Sequence, residues 1–268
     1  MATTRTEALI LRCVDFGESD RILHLLVPGS GRLTAIAKGA KRSVRRFSGT
    51  LDLFHHVRVL VERRRSSAMA RLDQAKLIES FTPLRSDPAR FALGCYLLEL
   101  LDRLAPEGGV SSDTRRLFAF ALGALRMLCA RRPDARLRTL LELRALDALG
   151  LRPELRRCVR CGRVPRDGVE VDFHVADGGA VCAACSVRLK GLLRVHVGTL
   201  RVLEQGLRFD LERLDRLRFG PQALEESRQL LSRFSRFHVG IELRSQRFLD
   251  EVLGKASAAT QPSESGPL

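Results

Sequence analysis

The sequence contains no tryptophan, a single tyrosine and, among its 46 basic residues, only five lysines. It has no apolar run approaching the ~18 to 20 residues that a bilayer-spanning helix needs. The polar start MATTRTE lacks the apolar core of a secretory signal. These absences lead to the expectation of a cytoplasmic protein that stays off the membrane. The pieces of familiar catalytic sites are missing too. There is no HExxH, Gly29-x-Gly31 lacks the rest of a dinucleotide fingerprint, and Lys38-Gly39 is not part of a phosphate-binding loop. The six histidines are dispersed. Asp15, Glu18 and Asp20 read as turn formers of a hairpin rather than an acid/base pair or a Mg²⁺ site, with Glu18 and Asp20 free to pair with Arg21 or Arg32. The chain is therefore expected not to be an enzyme.

What is present is charge and ordinary globular composition. The 268 residues are 45% hydrophobic and 29% charged, enough to bury a core and long enough for one large domain or two to three small ones. A net charge of +15 and a pI near 10.7 point to a polyanionic partner, phosphate backbone or anionic lipid, because neutralised phosphates release condensed counterions.

The first ~80 residues alternate short β-rich runs with turns. The runs are roughly Glu7–Val14, Ile22–Val27, Leu33–Lys38, Leu51–Glu62 and Ala70–Ile78, separated by glycine turns and by the polar segment Arg63-Arg64-Arg65-Ser66-Ser67. Five short antiparallel strands must pair or close their edges, and an OB-type barrel does so at this length; an SH3-like barrel gives the same periodicity. From Ser86 the pattern becomes helical. Ser86 or Asp87 can cap, Pro88 suits the first helical position, and Phe91, Cys95, Leu98, Leu101 and Leu104 recur at helical spacing. Further helices are expected from Ser112, from Ala135 to a stop at Gly150, and over Thr199–Gly206, Ala223–Phe237 and Ile241–Leu253. The expected class is α+β: a barrel domain over 1–80, then a helical domain over 81–255 carrying a metal-binding insertion at 156–190. Residues 256–268, poor in large apolar side chains, should form a disordered tail.

Four of the seven cysteines form two pairs, Cys158-x-x-Cys161 and Cys182-x-x-Cys185, separated by 20 residues. Each tight turn offers two thiolates, and four thiolates fill a tetrahedral zinc sphere with no open position for an activated water. One structural Zn²⁺ per chain is expected, with Val169 to Val175 as a β-hairpin arm. His174 is a spare donor that nothing requires. Cys13, Cys95 and Cys129 read as core residues.

Residues 1–80 hold 15 basic against eight acidic side chains, a net of +7. The charge peaks at Lys38, Lys41, Arg42, Arg45 and Arg46 in the segment KGAKRSVRRF. Flexible cations beside a barrel track a phosphodiester backbone, and aromatics stack splayed bases. Lys38, Lys41, Arg42, Arg45, Arg46 and Phe47 are the candidate DNA contacts, with Phe54, His55 and His56 close by; the competing reading is an ordinary solvated loop.

Several segments together resemble the RecO family of bacterial recombination mediators. They are Phe16-Gly17-Glu18-Ser19-Asp20-Arg21-Ile22-Leu23, Gly31-Arg32-Leu33 through Ala37-Lys38-Gly39-Ala40, Leu51, the Leu72 to Leu77 strand, the CxxC pairs and Ser245-Gln246-Arg247-Phe248-Leu249. The resemblance implies an amino-terminal OB fold, a helical middle and a zinc-binding segment. It implies binding of single- and double-stranded DNA and annealing of complementary strands in a nucleoid-associated, cytoplasmic protein. It further implies work with RecR that helps RecA displace single-stranded DNA-binding protein, whose acidic tail would dock on the helical region near Arg126, Arg132 and Arg136. The alternative from another class is a basic zinc-ribbon protein that binds RNA or serves transcription or the ribosome.

Overall fold

The computed structural model describes residues 2–63, 69–108, 111–166, 170–240 and 243–259. Five strands come first: β1 (Ala2–Phe16), β2 (Asp20–Val27), β3 (Gly31–Ala37), β4 (His56–Arg63) and β5 (Ala70–Glu79), with a one-turn helix α1 (Val44–Phe47) between β3 and β4. They pair in the ring β1-β2-β3-β5-β4, with β4 returning to β1 and β3 running parallel to β5. This order, with its single parallel junction, is that of an OB-type barrel and settles the choice that periodicity left open.

Strand alternation builds the interior. Ala8 and Ile10 of β1, Leu23, Leu25 and Val27 of β2, Ala35 and Ala37 of β3, Val57, Val59 and Val61 of β4, and Ala70, Leu72 and Ala75 of β5 form one apolar cluster. The step from Leu72 to Ala75 breaks the period of two where the β4–β5 register shifts at Leu60/Val61. β1 serves two neighbours. Ala2–Leu9 pairs with β4 and Leu9–Phe16 with β2, and the register shift at Ile10/Arg12 bends the strand between them.

The fourth strand starts later than expected, at His56 rather than Leu51. Residues 52–55 instead form a turn closed by the His55 N–H on the Asp52 carbonyl, with Phe54 held at φ +67° and its ring almost fully buried. A bulky residue in the left-handed region is rare, and ring burial is what holds it there. Arg64, Arg65, Ser66 and Ser67 of the second basic turn lie outside the described residues.

The helices are α2 (Pro88–Leu104), α3 (Ser111–Ala130), α4 (Ala135–Ala148), α6 (Val197–Arg208), α7 (Pro221–Val239) and α8 (Arg244–Ala259); α5 (Ala183–Ser186) is one turn. Asp87 caps α2 by accepting the Arg90 N–H, and Asp134 caps α4 through the Leu137 N–H. Gly150, at φ +81°, ends α4 with the Gly150 N–H on Asp147 O and the Leu151 N–H on Leu146 O. α8 runs four residues into the segment expected to be a tail, where Ala256, Ala258 and Ala259 favour helix. Residues 260–268 and Ile241 lie outside the described residues. A three-stranded sheet, β7 (Gly179–Val181), β6 (Glu170–His174) and β8 (Leu192–His196), replaces the simple hairpin arm; Val169 is outside the described residues. Cys13, Cys95 and Cys129 are half-buried rather than enclosed.

The chain forms two compact units. One comprises Met1–Thr82, Leu97–Cys129 and Leu143–Arg152, the other Pro83–Tyr96, Ala130–Glu142 and Pro153–Leu268. Within the first, the β2–β3 turn meets the segment after α2. The Arg32 N–H donates to Pro106 O and the Gly108 N–H to Ser30 O, while Arg32 pairs with Glu107. His24 donates to Asp102 over 2.6 Å. Burial opposes the Asp102 charge, yet His24 and Arg32 together hold its carboxyl below the usual range. Gly31 sits at φ +72°, and a Cβ there would stand 2.0 Å from Pro106 O. Gly49 has a similar φ of +65° but open space around it. Gly31→Ala should therefore lose clearly more stability in urea unfolding than Gly49→Ala, whose cost of about 1–2 kcal/mol is the backbone penalty alone. Equal losses would show that the Pro106 approach is not a constraint.

Candidate metal centre and nucleic-acid face

The two cysteine turns are built by backbone hydrogen bonds. In the first, the Cys158 N–H donates to Arg163 O and the Gly162 N–H returns to Cys158 O, with Gly162 at φ +73°. In the second, the N–H groups of Cys185 and Ser186 both donate to Cys182 O at the start of α5. The turns are held together by the Val159 N–H on Ala180 O and by the pairing of Glu154 with Gly179. Gly179 is required there, because a Cβ would lie 2.4 Å from Val159 and 2.7 Å from Glu154 O.

As a result the sulfur atoms of Cys158, Cys161, Cys182 and Cys185 all lie within 4.8 Å of one another, and Cys161 Sγ is 3.6 Å from Cys182 Sγ. A tetrahedral thiolate site with bonds of ~2.3 Å has edges of about 3.8 Å, so the four residues fit a metal ion. Burial opposes ionisation of Cys158, but the backbone N–H groups of Cys182, Cys161 and Arg160 outweigh it and lower its pKa to about 6. The Cys185 N–H likewise lowers Cys182, whereas hydrogen bonds with Cys182 and Cys161 push Cys185 up to about 12. Cys158 and Cys182 are thus shifted toward the form that binds a metal, and Cys185 holds a proton that a metal would displace. His174 is not part of the group; its Nδ1 lies 3.0 Å from Asp177, which also pairs with Arg160.

The basic segment after β3 is not a free loop. The Gly39 N–H donates to Asp20 Oδ1 over 2.8 Å, the Lys41 N–H donates to Ser19 O over 2.9 Å, and α1 follows directly. Lys41 reaches Asp15 at 3.1 Å and Gly17 O at 3.3 Å, and Arg42 lies 3.7 Å from Glu18. The hairpin acids are the anchors of the basic segment, a role that spacing alone did not reveal; Arg21 pairs with Asp15 and Arg32 with Asp102 and Glu107 instead. Lys41 holds the Asp15 carboxyl below its usual range, and the Gly39 N–H does the same for Asp20. Lys38, Lys41, Arg42 and Arg45 are exposed and Arg46 partly so. Arg46 donates to Lys38 O over 2.7 Å and lies 5.0 Å above the Phe47 ring. Arg45 and Arg46 line a groove of about 530 Å³ with Gln74, Ala75 and Lys76 of β5. Lys76 and Gln74 join the basic face from a strand 30 residues away in sequence, so local charge density did not reveal them.

Phe47 requires a correction. It is 3% exposed and packs in the barrel core, so its faces are closed to a base. Helix α1 turns it inward to cap the open end of the apolar cluster. Phe54 and His56 are buried as well, and the His55 ring is bonded to Thr50 O. The aromatic residue that does stand in solvent on the barrel is Phe16, 51% exposed at the end of β1. Of the helical arginines, Arg126 pairs with Glu79, Arg132 with Asp87 and Arg136 with Asp134. No helix among the described residues is long and apolar enough to cross a membrane.

Comparison with known proteins matches the chain to two family models. Residues 1–81 match the family model for the recombination protein O N terminal, and residues 85–247 match that for its C terminal. A protein named DNA repair protein RecO from Anaeromyxobacter sp. (strain K) is 34% identical over 252 residues, covering 94% of this chain and 98% of its own length. Its namesake from Myxococcus xanthus (strain DK1622) is 35% identical over 249 residues, covering 92% and 96%. That of Symbiobacterium thermophilum is 33% identical over 256 residues, covering 94% and 98%.

For the cysteine centre, elemental analysis should find about one metal ion per chain after purification. Cys158→Ser should lower the melting temperature more than Cys13→Ser, and prolonged chelation should bring wild type down to the Cys158→Ser value. A metal-free wild type that melts at the same temperature would remove the metal from the fold.

Proposed function

The chain belongs to the RecO family of DNA repair proteins, and from that premise we propose that it binds single- and double-stranded DNA and anneals complementary strands. With RecR it helps load RecA onto DNA coated by single-stranded DNA-binding protein. Its first 80 residues are the nucleic-acid domain, and residues 81 to about 255 form the helical domain, with the insertion at 156–190 holding one Zn²⁺. Zinc suits four thiolates because it is redox-inert and accepts tetrahedral sulfur ligands, and a filled sphere leaves it structural. The protein is a cytoplasmic mediator rather than a catalyst.

The observation that supports this reading best is the basic face of the barrel. Lys38, Lys41, Arg42, Arg45 and Arg46 stand together on a segment fixed to the β1–β2 hairpin, and Lys76 stands across the groove from Arg45 and Arg46. Fixed cations lose little entropy when a phosphate arrives, and the carboxylates that hold them can be exchanged for phosphate oxygens. An annealing assay with complementary oligonucleotides tests the proposal directly: the protein should accelerate duplex formation in a salt-sensitive way. Selective binding of structured RNA without annealing would instead favour the ribonucleoprotein alternative.

The contacts are tested by salt dependence. Alanine at Lys38, Lys41, Arg42, Arg45 and Arg46 should weaken binding to all sequences alike and flatten the plot of log K against log salt by about 0.7 per lost contact on a single strand. Lys41 and Arg42 are already paired with Asp15 and Glu18, so Glu18→Gln should strengthen binding at low salt. Alanine at Arg63, Arg64 and Arg65 is the control. If that variant loses binding and the five-residue variant keeps it, the basic segment is not the contact.

A further inference from the structure

The barrel carries an apolar strip on its outer face that neither the core nor the cation cluster explains. Outward residues can be read from the register, since directly opposed residues share a face. Leu23, Leu25, Ala35 and Ala37 point into the core, so Ile22 and Ile36 point out. Val14 is opposite Ile22, and Ile22 is opposite Ile36. Beyond Ile36 lies Arg71 of β5. Phe16 stands two residues past Val14 on the same side of β1, opposite Asp20. Val14 is 41% and Phe16 51% exposed, near the end of β1 where it pairs with β2 alone.

Cations gather at the tip of the same hairpin, two of them on Asp15, which alternates with Phe16 and so faces the other side of β1. The Lys41 ammonium lies 3.3 Å from the carbonyl of Gly17 and 3.1 Å from the carboxylate of Asp15, the two residues that flank Phe16. Arg21 pairs with the same Asp15, and Arg42 stands against Glu18 in the same turn. A flat apolar ring on one face of the hairpin tip, with cations gathered on the other, matches a polyanion that passes over the tip and also presents flat apolar faces. The hairpin tip is ordered by the Lys41 N–H on Ser19 O and by the two donors on Asp20, so the backbone that carries the ring is fixed before any ligand arrives.

We propose that Phe16, backed by Val14 and Ile22, is the base-stacking subsite of this barrel, and that it takes an unpaired base of a single-stranded DNA whose phosphates run along Lys41 and Arg42. The proposal rests on the DNA-binding reading and assigns it the aromatic contact that buried Phe47 does not provide. Every base has a π-face, so the subsite is indifferent to sequence. In a duplex the bases are already stacked on one another, so the same ring selects single strands over double strands.

The lack of tryptophan supplies the test. Phe16→Trp places a unique indole at the site, and titration with oligo-dT should quench its fluorescence along the same isotherm as the polarisation of a labelled strand. Phe16→Ala should bind oligo-dT about five- to a hundredfold more weakly, by a factor that persists at high salt because stacking is not screened. Its affinity for a strand of abasic spacers of the same length should equal that of wild type, as should its affinity for duplex. Unaltered folding of Phe16→Ala is checked by its melting temperature, which an exposed ring should leave unchanged. If wild type binds oligo-dT and Phe16→Ala binds it equally well, or the indole signal stays flat through saturation, the stacking subsite is wrong while DNA binding stands. If Phe16→Ala alters only self-association, the strip is a contact between copies. If wild type fails to bind any single strand, the DNA-binding reading itself falls.

Discussion

β1 has to hydrogen-bond to β4 along its first half and to β2 along its second, because a ring of five strands gives every strand two neighbours. A straight strand cannot serve both. The register shift at Ile10/Arg12 turns it from one partner to the other, and the β1–β4 ladder ends at Leu9↔His56. Beyond that point Arg12 to Phe16 pairs with β2, so the far arm projects from the barrel with its outer face in water. The exposed Phe16, the acidic turn that follows it and the position of the basic segment all descend from that bend.

Electrostatics on this arm is arranged to be weak in the free protein. Exposed ion pairs such as Arg42 with Glu18 contribute little, roughly 0 to 1 kcal/mol, and salt screens them. They are sufficient to orient the cations and too weak to compete with a phosphate chain that releases counterions as it binds. The stronger tie comes from neutral donors: backbone N–H groups on the Asp20 carboxylate and on Ser19 O fix the segment without consuming any of its positive charge. Positioning thus rests on groups other than the cations, so charge can be removed from the segment without unfolding it.

The strand order lay beyond what periodicity could give, since among the described residues β3 meets β5 through the pairs Ala35↔Ala70 and Ile36↔Arg71 and no local pattern marks a parallel junction. The five barrel strands themselves were legible, as were the Asp87 cap and the Gly150 stop, because alternation and capping act over a few residues. Phe47 was misread for the opposite reason. Its neighbours in sequence are arginines, but α1 turns it inward, and whether an aromatic closes a barrel or faces water depends on helical phase rather than on neighbours. Phe16 carried a usable signal: Arg12, Val14 and Phe16 alternate with Cys13 and Asp15 and run straight into the Gly17 turn. β8 was missed because LLRVH directly precedes α6 and its apolar residues continue into the helical pattern.

The cysteine centre answers a different physical need. Its sheet has strands of five, three and five residues, shorter than an isolated sheet needs to hold together in water. Two knuckles that lie far apart in sequence are joined through a few backbone hydrogen bonds and a glycine, Gly179, into which no side chain fits. Backbone amides in and beside the two turns lower the pKa of Cys158 to about 6 and hold that of Cys182 below the usual thiol value, so folding itself favours the ligand form of two of the sulfurs. Cys185 keeps its proton because Cys182 and Cys161 hydrogen-bond with it. A divalent ion bound by the four sulfurs would displace that proton and tie the two knuckles together, adding to a sheet of such short strands a link that its hydrogen bonds alone do not give.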